Sequence, residues 1–430
     1  MKSISLPPNP RFAVFLAAAL VIFLIHAAAA QDWTEFRGST GQGLSTAKRL
    51  PLHWDPSSFS GWEVEIAGKG WSSPIVYQGR LYLTAALPLE DGDVGDQSLR
   101  AMCLDAKTGI TVWDVEVFQQ IQGEKTRIHA KNSHASATPI TDGKRIYVHF
   151  GPQGTAALGL DGRLLWTNQT LEYDPQHGTG SSPILSGDLV IFNCDGADVA
   201  FVTALDQATG KERWRTMRPG GVNRTFSFST PLEIEVNGKT QIVSPASDIV
   251  CSYDAETGKE IWHVRYPEHW SVVPRPVYSQ GMVFVCTGYQ RPAELLAIRT
   301  DGKGDVTETH VAWQTGANVP YNPSPIVVGS EIYMVSDDGV ASCRDVLQGD
   351  LHWRKRLGGN YSASPIYGAG RIYFQSEDGQ CTVIQPGTEF RQLAKNEMGE
   401  RSLASFAVWD DALFIRTLSH LYRINSEAGL

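Results

Sequence analysis

The chain reads as an all-β, eight-bladed β-propeller of four-stranded blades, closed into a ring by its N- and C-terminal strands. Three observations lead there. Asp, Gly and Trp recur at one fixed spacing in Asp105-Gly109-Trp113, Asp206-Gly210-Trp214, Asp254-Gly258-Trp262 and Asp345-Gly349-Trp353. A Pro-apolar step, preceded by Ser or Thr except at Pro276, recurs at Pro74, Pro139, Pro183, Pro231, Pro276, Pro325 and Pro365, with Phe406 standing at the eighth place. The prolines are 40 to 65 residues apart, too long for a solenoid rung and right for a four-stranded blade.

Each unit can be followed strand by strand. A proline removes a ladder donor, so the Ser-Pro-Ile segment is expected as the innermost strand, at a sheet edge. An alternating strand follows, such as Arg145-Ile146-Tyr147-Val148, and then a third, such as Val202-Thr203-Ala204-Leu205. The Asp-to-Gly step makes the next turn, because Asp accepts from amides ahead of it and Gly takes positive φ without a Cβ. The Trp falls on the outer strand, where its ring can wedge against the neighbouring blade.

Counting the outer aromatics sets the size of the ring. Trp62, Trp113, Trp166, Trp214, Trp262, Trp313, Trp353 and Phe390 make eight. Trp62 precedes the first proline, so its blade takes its other three strands from residues 403 to 425. Pairing the chain ends in this way leaves no open sheet edge.

Residues 1–30 stand apart. Lys2 and Arg11 precede an apolar run from Phe12 to Ile25, and four alanines end the segment before Gln31. That order is expected of a secretory signal peptide cut after Ala30, giving a periplasmic or secreted protein; the run is also long enough to be read as a retained anchor. No cysteine sits near the cut, so no lipid anchor is expected. Residues 31–60 are assigned to an extension packing on the propeller, and 61–430 to the propeller itself. Without Lys2 and Arg11, the 37 basic residues fall to 35 against 46 acidic ones, a balance of −11. Such a charge argues against nucleic acid as a partner. The six cysteines lie singly in apolar strand contexts and are expected as buried free thiols.

The fullest repeat, Tyr253-Asp254-Ala255-Glu256-Thr257-Gly258-Lys259-Glu260-Ile261-Trp262, resembles the repeat of the pyrroloquinoline quinone (PQQ) family of eight-bladed propellers. The resemblance covers residues 61 to 425. Trp33-x-x-Phe36-Arg37-Gly38 and Gly70-Trp71-Ser72-Ser73-Pro74 further resemble the secreted planctomycete-type and BamB-like groups. It implies either a quinoprotein dehydrogenase or a noncatalytic scaffold. The dehydrogenases of the family carry a disulfide between adjacent cysteines over the quinone, and here no Cys-Cys pair and no Cys-x-x-Cys-His occur.

A site is expected at the end of the ring where outer-to-inner connections meet the loops between second and third strands, because irregular loops carry function. The connection after Trp113 is the longest and supplies His129, Lys131, Asn132 and His134. Other segments preceding the prolines add Trp71, His177, Arg224, His269, Arg275, Tyr321, Asn322, Tyr361 and Arg401. The mouth these residues would form suits a small anionic or polyhydroxylated ligand, or a protein partner. No metal is expected: His129 and His134 lack a zinc motif, and the acidic stretch from Glu90 to Asp96 lacks calcium-loop spacing, reading instead as a solvated tip. No nucleophile elbow occurs, and no catalytic residue is assigned. The leading expectation is an exported, noncatalytic binding or assembly scaffold without a cofactor. The alternatives are a dehydrogenase using PQQ and calcium, and recognition or cleavage of an extracellular polysaccharide.

Overall fold

A computed structural model describes residues 31–90, 92–93, 95–121, 128–219 and 224–426. The proposed signal peptide lies outside the described residues. Eight sheets surround one axis, each built on four antiparallel strands in sequential order except at the closure, and one of them carries a fifth strand. Blade 1 runs from Ile75 to Gln120, blade 2 from Ile140 to Asn168, blade 3 from Ile184 to Met217 and blade 4 from Leu232 to Arg265. Blade 5 spans Val277 to Thr315, blade 6 Ile326 to Arg356 and blade 7 Ile366 to Glu397. Blade 8 takes three strands from Ala407 to Asn425, and its outer strand is Gly61–Glu65, with Trp62 opposite Arg423. The closure expected from the sequence is therefore present.

One detail of the blade differs from expectation. The innermost strands begin just after the prolines, at Ile75, Ile140, Ile184 and their equivalents, so the proline precedes the strand. The reason lies in the residue before it. The backbone N–H of Ser73 donates to the hydroxyl of Thr138 (3.0 Å), Thr138 to Ser182 (2.9 Å) and Ser182 to Thr230 (3.0 Å). Arg275 donates in the same way to Ser324 (2.9 Å), Ser324 to Ser364 (3.0 Å), Ser364 to Ser405 (2.9 Å) and Ser405 back to Ser73 (3.0 Å). Seven blade junctions thus share one bond, made at the axis. At the eighth, Arg275 replaces the hydroxyl residue, and Ser229 spans the gap by donating to Pro274 O (2.9 Å).

At the perimeter the Trp wedge is equally regular. Trp113 Nε1 donates to Leu160 O (3.0 Å), Trp166 to Gln207 O (2.9 Å) and Trp214 to Ala255 O (3.1 Å), each a carbonyl of the next blade. Trp62 makes the corresponding bond to Ala106 O (3.3 Å), which joins blade 8 to blade 1. The repeat glycine lies under each ring: a Cβ on Gly258 would sit 2.5 Å from the Trp214 ring. Asp206 caps the turn, its Oδ1 accepting from Ala208 N (3.1 Å), Thr209 N (2.9 Å) and Thr209 Oγ1 (2.8 Å). Trp262 departs from the rule. It is fully buried and donates to Gln241 Oε1 (3.1 Å) within its own blade. Blade 5 lacks the Asp-to-Gly turn that would face it; in its place Gly304–Asp305 adds a parallel fifth strand to blade 4.

The extension at 31–60 crosses the lower end of the axis. Trp33 and Val76 exchange backbone hydrogen bonds at blade 1, and Gly41 through Gly43 pass beneath blades 5 and 6. Ser45 N reaches Tyr367 O in blade 7 (2.8 Å), and Asn396 holds the backbone of Leu52 and Trp54. All six cysteines are free and buried. The acidic tip is not wholly solvated: Asp96 is buried and accepts the N–H of Asp93 (3.1 Å), because its carboxylate closes the turn.

Two substitutions test this framework. Gly258→Ala meets both a positive φ of 69° and the Trp214 ring, so it should cost about 2 to 4 kcal/mol. Gly238→Ala, at a φ of 72° with open space around it, should cost only about 1 to 2 kcal/mol. Urea titration of both variants gives the comparison, and equal costs would remove the wedge from the account. Ser182→Ala strips the acceptor from Thr138 N inside the ring and should cost about 1 to 3 kcal/mol in the same titration.

Candidate functional site

On the upper face the loops enclose a cavity of about 360 Å³ centred on the axis. Its base is the ring of hydroxyls from Ser73 to Ser405, with Phe36 of the extension among the lining residues. Beneath, Arg275 is fully buried and fixes the extension, with Nη1 donating to Phe36 O (2.6 Å), Nη2 to Glu35 (2.9 Å) and Nε to Pro231 O (3.0 Å). The Arg275 carboxylate partner is itself strained by its setting: burial pushes the Glu35 carboxyl above its usual value, against the pull of Arg275.

One wall of the funnel is aromatic. His177 lies edge-on to His129 (5.5 Å between ring centres) and to Phe226 (5.5 Å), and tilts over Phe228 (6.2 Å). Arg224 lies over the Trp270 ring at 4.6 Å. Burial, then the nearby His129 and Arg224, push the His177 pKa below its usual value, so its ring is neutral at neutral pH. Asn132 ties this wall together by donating to His177 O (2.8 Å).

The opposite wall is polar. Lys131 reaches across to Glu377 (2.8 Å) and Asp337 (3.6 Å). Asp337 also accepts from the Tyr321 N–H (2.6 Å) and from the Asn322 side-chain amide, which donates in turn to Tyr289 Oη (3.0 Å). Burial opposes the charge on Glu377, but hydrogen bonds from Lys131 and Ser362 outweigh it and hold the carboxyl below its usual range.

The structure brings together seven of the residues expected at the mouth: Trp71, His129, Lys131, Asn132, His177, Arg224 and Asn322 line the cavity. Arg401 stands just outside, 3.7 Å from Glu377. Five lie elsewhere. His134 turns outward to Gln120 (3.0 Å), and burial depresses its pKa. His269 is buried against Gly288 O (3.2 Å), because the two-residue ladder it forms with Tyr289–Gln290 presents Trp270 to the funnel instead. Arg275 points down to the extension rather than up. Tyr321 stacks on Tyr289 at 4.3 Å and leaves that ring to line the cavity. Tyr361 is buried between blades, and its neighbour Ser362 faces in.

Sequence reasoning missed Phe226, Phe228, Trp270, Tyr289, Asp337 and Glu377. A signal existed for the carboxylates: Ser336-Asp337-Asp338-Gly339 and Ser376-Glu377-Asp378-Gly379 occupy the same upper hairpin of adjacent blades. Among the described residues no cluster of three His, Cys, Asp or Glu side chains could hold a metal ion.

Residues 60–216, 200–314 and 305–389 match the family model described as outer membrane protein assembly factor BamB. The chain belongs to that family. No curated protein compared with it matches in sequence. Solved structures similar to this BamB-family propeller include the quinohemoprotein alcohol dehydrogenase from Comamonas testosteroni, at a TM-score of 0.70 and 11% identity over 93% of this chain and 81% of that one. BamB from Moraxella catarrhalis aligns at a TM-score of 0.58 and 12% identity over 86% and 98% of the two chains. A europium-containing methanol dehydrogenase aligns at 0.64 and 11% over 91% and 90%. These identities establish a common fold and leave function to the site.

The link between Lys131 and Glu377 makes a pH prediction. Because the folded-state pKa of Glu377 is lowered from 4.5, the stability it contributes is present above that value and drains as pH falls through the lower folded one. Between about pH 5 and pH 3, Glu377→Gln should therefore lose less stability than the parent chain in denaturant titrations. Parallel losses would show that the ion pair contributes nothing.

Proposed function

We propose that the chain is an exported, noncatalytic binding propeller whose upper funnel captures a small ligand. The observation that carries this reading is the state of the two mouth carboxylates. Glu377 and Asp337 already share the ammonium of Lys131. Neither is left as the free acid or base that a reaction would require, while the aromatic wall opposite offers a surface for a ring-shaped ligand. The basic, apolar and alanine-rich order of residues 1–30 supports export. Among the described residues no helix is long and apolar enough to cross a membrane.

The same geometry bears on the alternatives. A quinone with calcium does not suit this funnel: a cation would have to displace Lys131 from its carboxylates, and the six cysteines are dispersed through the blades with none at the cavity. Glycoside cleavage by two carboxyl groups needs one of them with a raised pKa as the acid, and Glu377 is shifted the other way.

Incubating the purified mature protein with PQQ and calcium, followed by desalting, tests the reading. The expected spectrum shows protein absorbance alone, with no dye-coupled oxidation of alcohols. A retained quinone chromophore with turnover would replace the binding reading by an oxidoreductase.

A further inference from the structure

The base of the funnel holds more hydrogen-bond donors than the protein uses. Each of the seven axial hydroxyls accepts a backbone N–H from the preceding blade. Ser364 spends its own hydrogen on Ser324 Oγ (3.0 Å), and no acceptor among the described residues meets the hydroxyls of the other six. All of these side chains are more than nine-tenths buried, and they line the same cavity. A hydroxyl that is already accepting is polarised toward donation, and a buried donor without a partner is costly.

The charge beneath the ring has the same sign. Arg37 is fully buried, and its Nη2 donates to Gln42 O (3.1 Å) and to Pro325 O (2.7 Å), the residue directly below Ser324. Among the described residues its Nε and Nη1 have no partner, and no carboxylate pairs with it. Of the carboxylates near this layer, Glu35 is engaged by Arg275, and Glu233, close enough to push the Glu35 carboxyl up, is exposed to solvent. With Arg275 matched by Glu35 and Glu233 turned to solvent, the buried Arg37 guanidinium is the positive charge left unmatched under a floor of converging O–H groups. The acidic groups of the funnel, Asp337 and Glu377, stand at its mouth and are held by Lys131.

From this arrangement we infer that the axial hydroxyl ring is an anion socket, which takes the carboxylate head of the ligand while the ring-shaped body lies against the aromatic wall. The inference rests on the small-ligand reading above and adds to it which end of the ligand goes down. It also assigns Arg37, which touches no cavity surface, the role of positioning charge beneath the socket. A carboxylate suits the socket because it accepts only and can take several convergent donors.

Calorimetric titration of the full mature chain with matched pairs tests the inference: glucuronate against glucose, and benzoate against benzyl alcohol. The acid of at least one pair should bind at least tenfold more tightly than its neutral partner, and which pair responds separates a sugar body from a flat aromatic one. Arg37→Met should lower affinity for that acid about tenfold, the size of one charge acting across several ångströms of protein. It should leave the neutral partner's affinity unchanged. Thermal unfolding of Arg37→Met, run alongside, should show a folded protein; if it does not, Arg37→Lys, which keeps the charge, should retain the preference for the acid. Neutral and acid partners binding alike, or Arg37→Met binding the acid as well as the parent, would overturn the socket while leaving the small-ligand reading intact. Absence of any binding, together with quinone capture, would sink that broader reading instead.

Discussion

The bond from a backbone N–H to the hydroxyl of the next blade is the constraint on which the rest of the molecule depends. A propeller must hold eight sheet edges close together at its axis, where each inner strand turns an unpaired row of backbone groups toward its neighbours. Ser or Thr at the position before each proline resolves part of that problem with the shortest side chains able to accept. The proline that follows brings no N–H of its own to satisfy at the same crowded point. At Arg275 the series is interrupted, and the long guanidinium reaches instead to Glu35 and Phe36, tying the extension to the axis. The one irregular position of the ring is thus where another segment is anchored.

The perimeter repeats this logic with different chemistry. Trp Nε1 crosses six of the eight junctions to a carbonyl, and in five of them the ring rests on a glycine that has no Cβ to obstruct it. Where both are present, a hydroxyl inside and an indole outside make the junction a pair of hydrogen bonds separated by an apolar core, so those neighbouring blades cannot pivot without breaking one or the other. Trp262 shows what happens when the facing turn is lost. An insertion covers the ring from outside, and Gln241 takes over as acceptor from within.

The fold was legible because its determinants are periodic. Prolines, turn Asp residues and tryptophans recur at spacings that only a blade explains, and the displaced Trp62 located the closure. The site was legible only as a face. Loop residues have no period to set their direction, so the pattern points to His269 where its neighbour Trp270 faces inward, and to Tyr321 where Tyr289 does. Arg275 occupies a position equivalent to the hydroxyls yet reaches the other way, a choice made by Glu35 from a distant part of the chain. Asp337 and Glu377 were missed because Asp or Glu before Gly in a hairpin reads as turn chemistry. Only their approach to Lys131, from a loop four blades away for Asp337, shows them as part of the funnel.

The pairing of Gly61–Glu65 with His420–Asn425 also constrains how the chain reaches this shape. The outer strand of the last blade is the first to be made, so it must wait, unpaired, until nearly the whole polypeptide is available. Seven blades can form from contacts within 65 or so residues, but joining the ends is a contact of very long sequence separation, slow to find and entropically costly to close. Once made, it is protected: opening the ring requires giving up a sheet edge, a Trp junction and an axial bond together. Assembly is therefore expected to finish with one late, cooperative step, and resistance to unfolding to be set by the rate of undoing it.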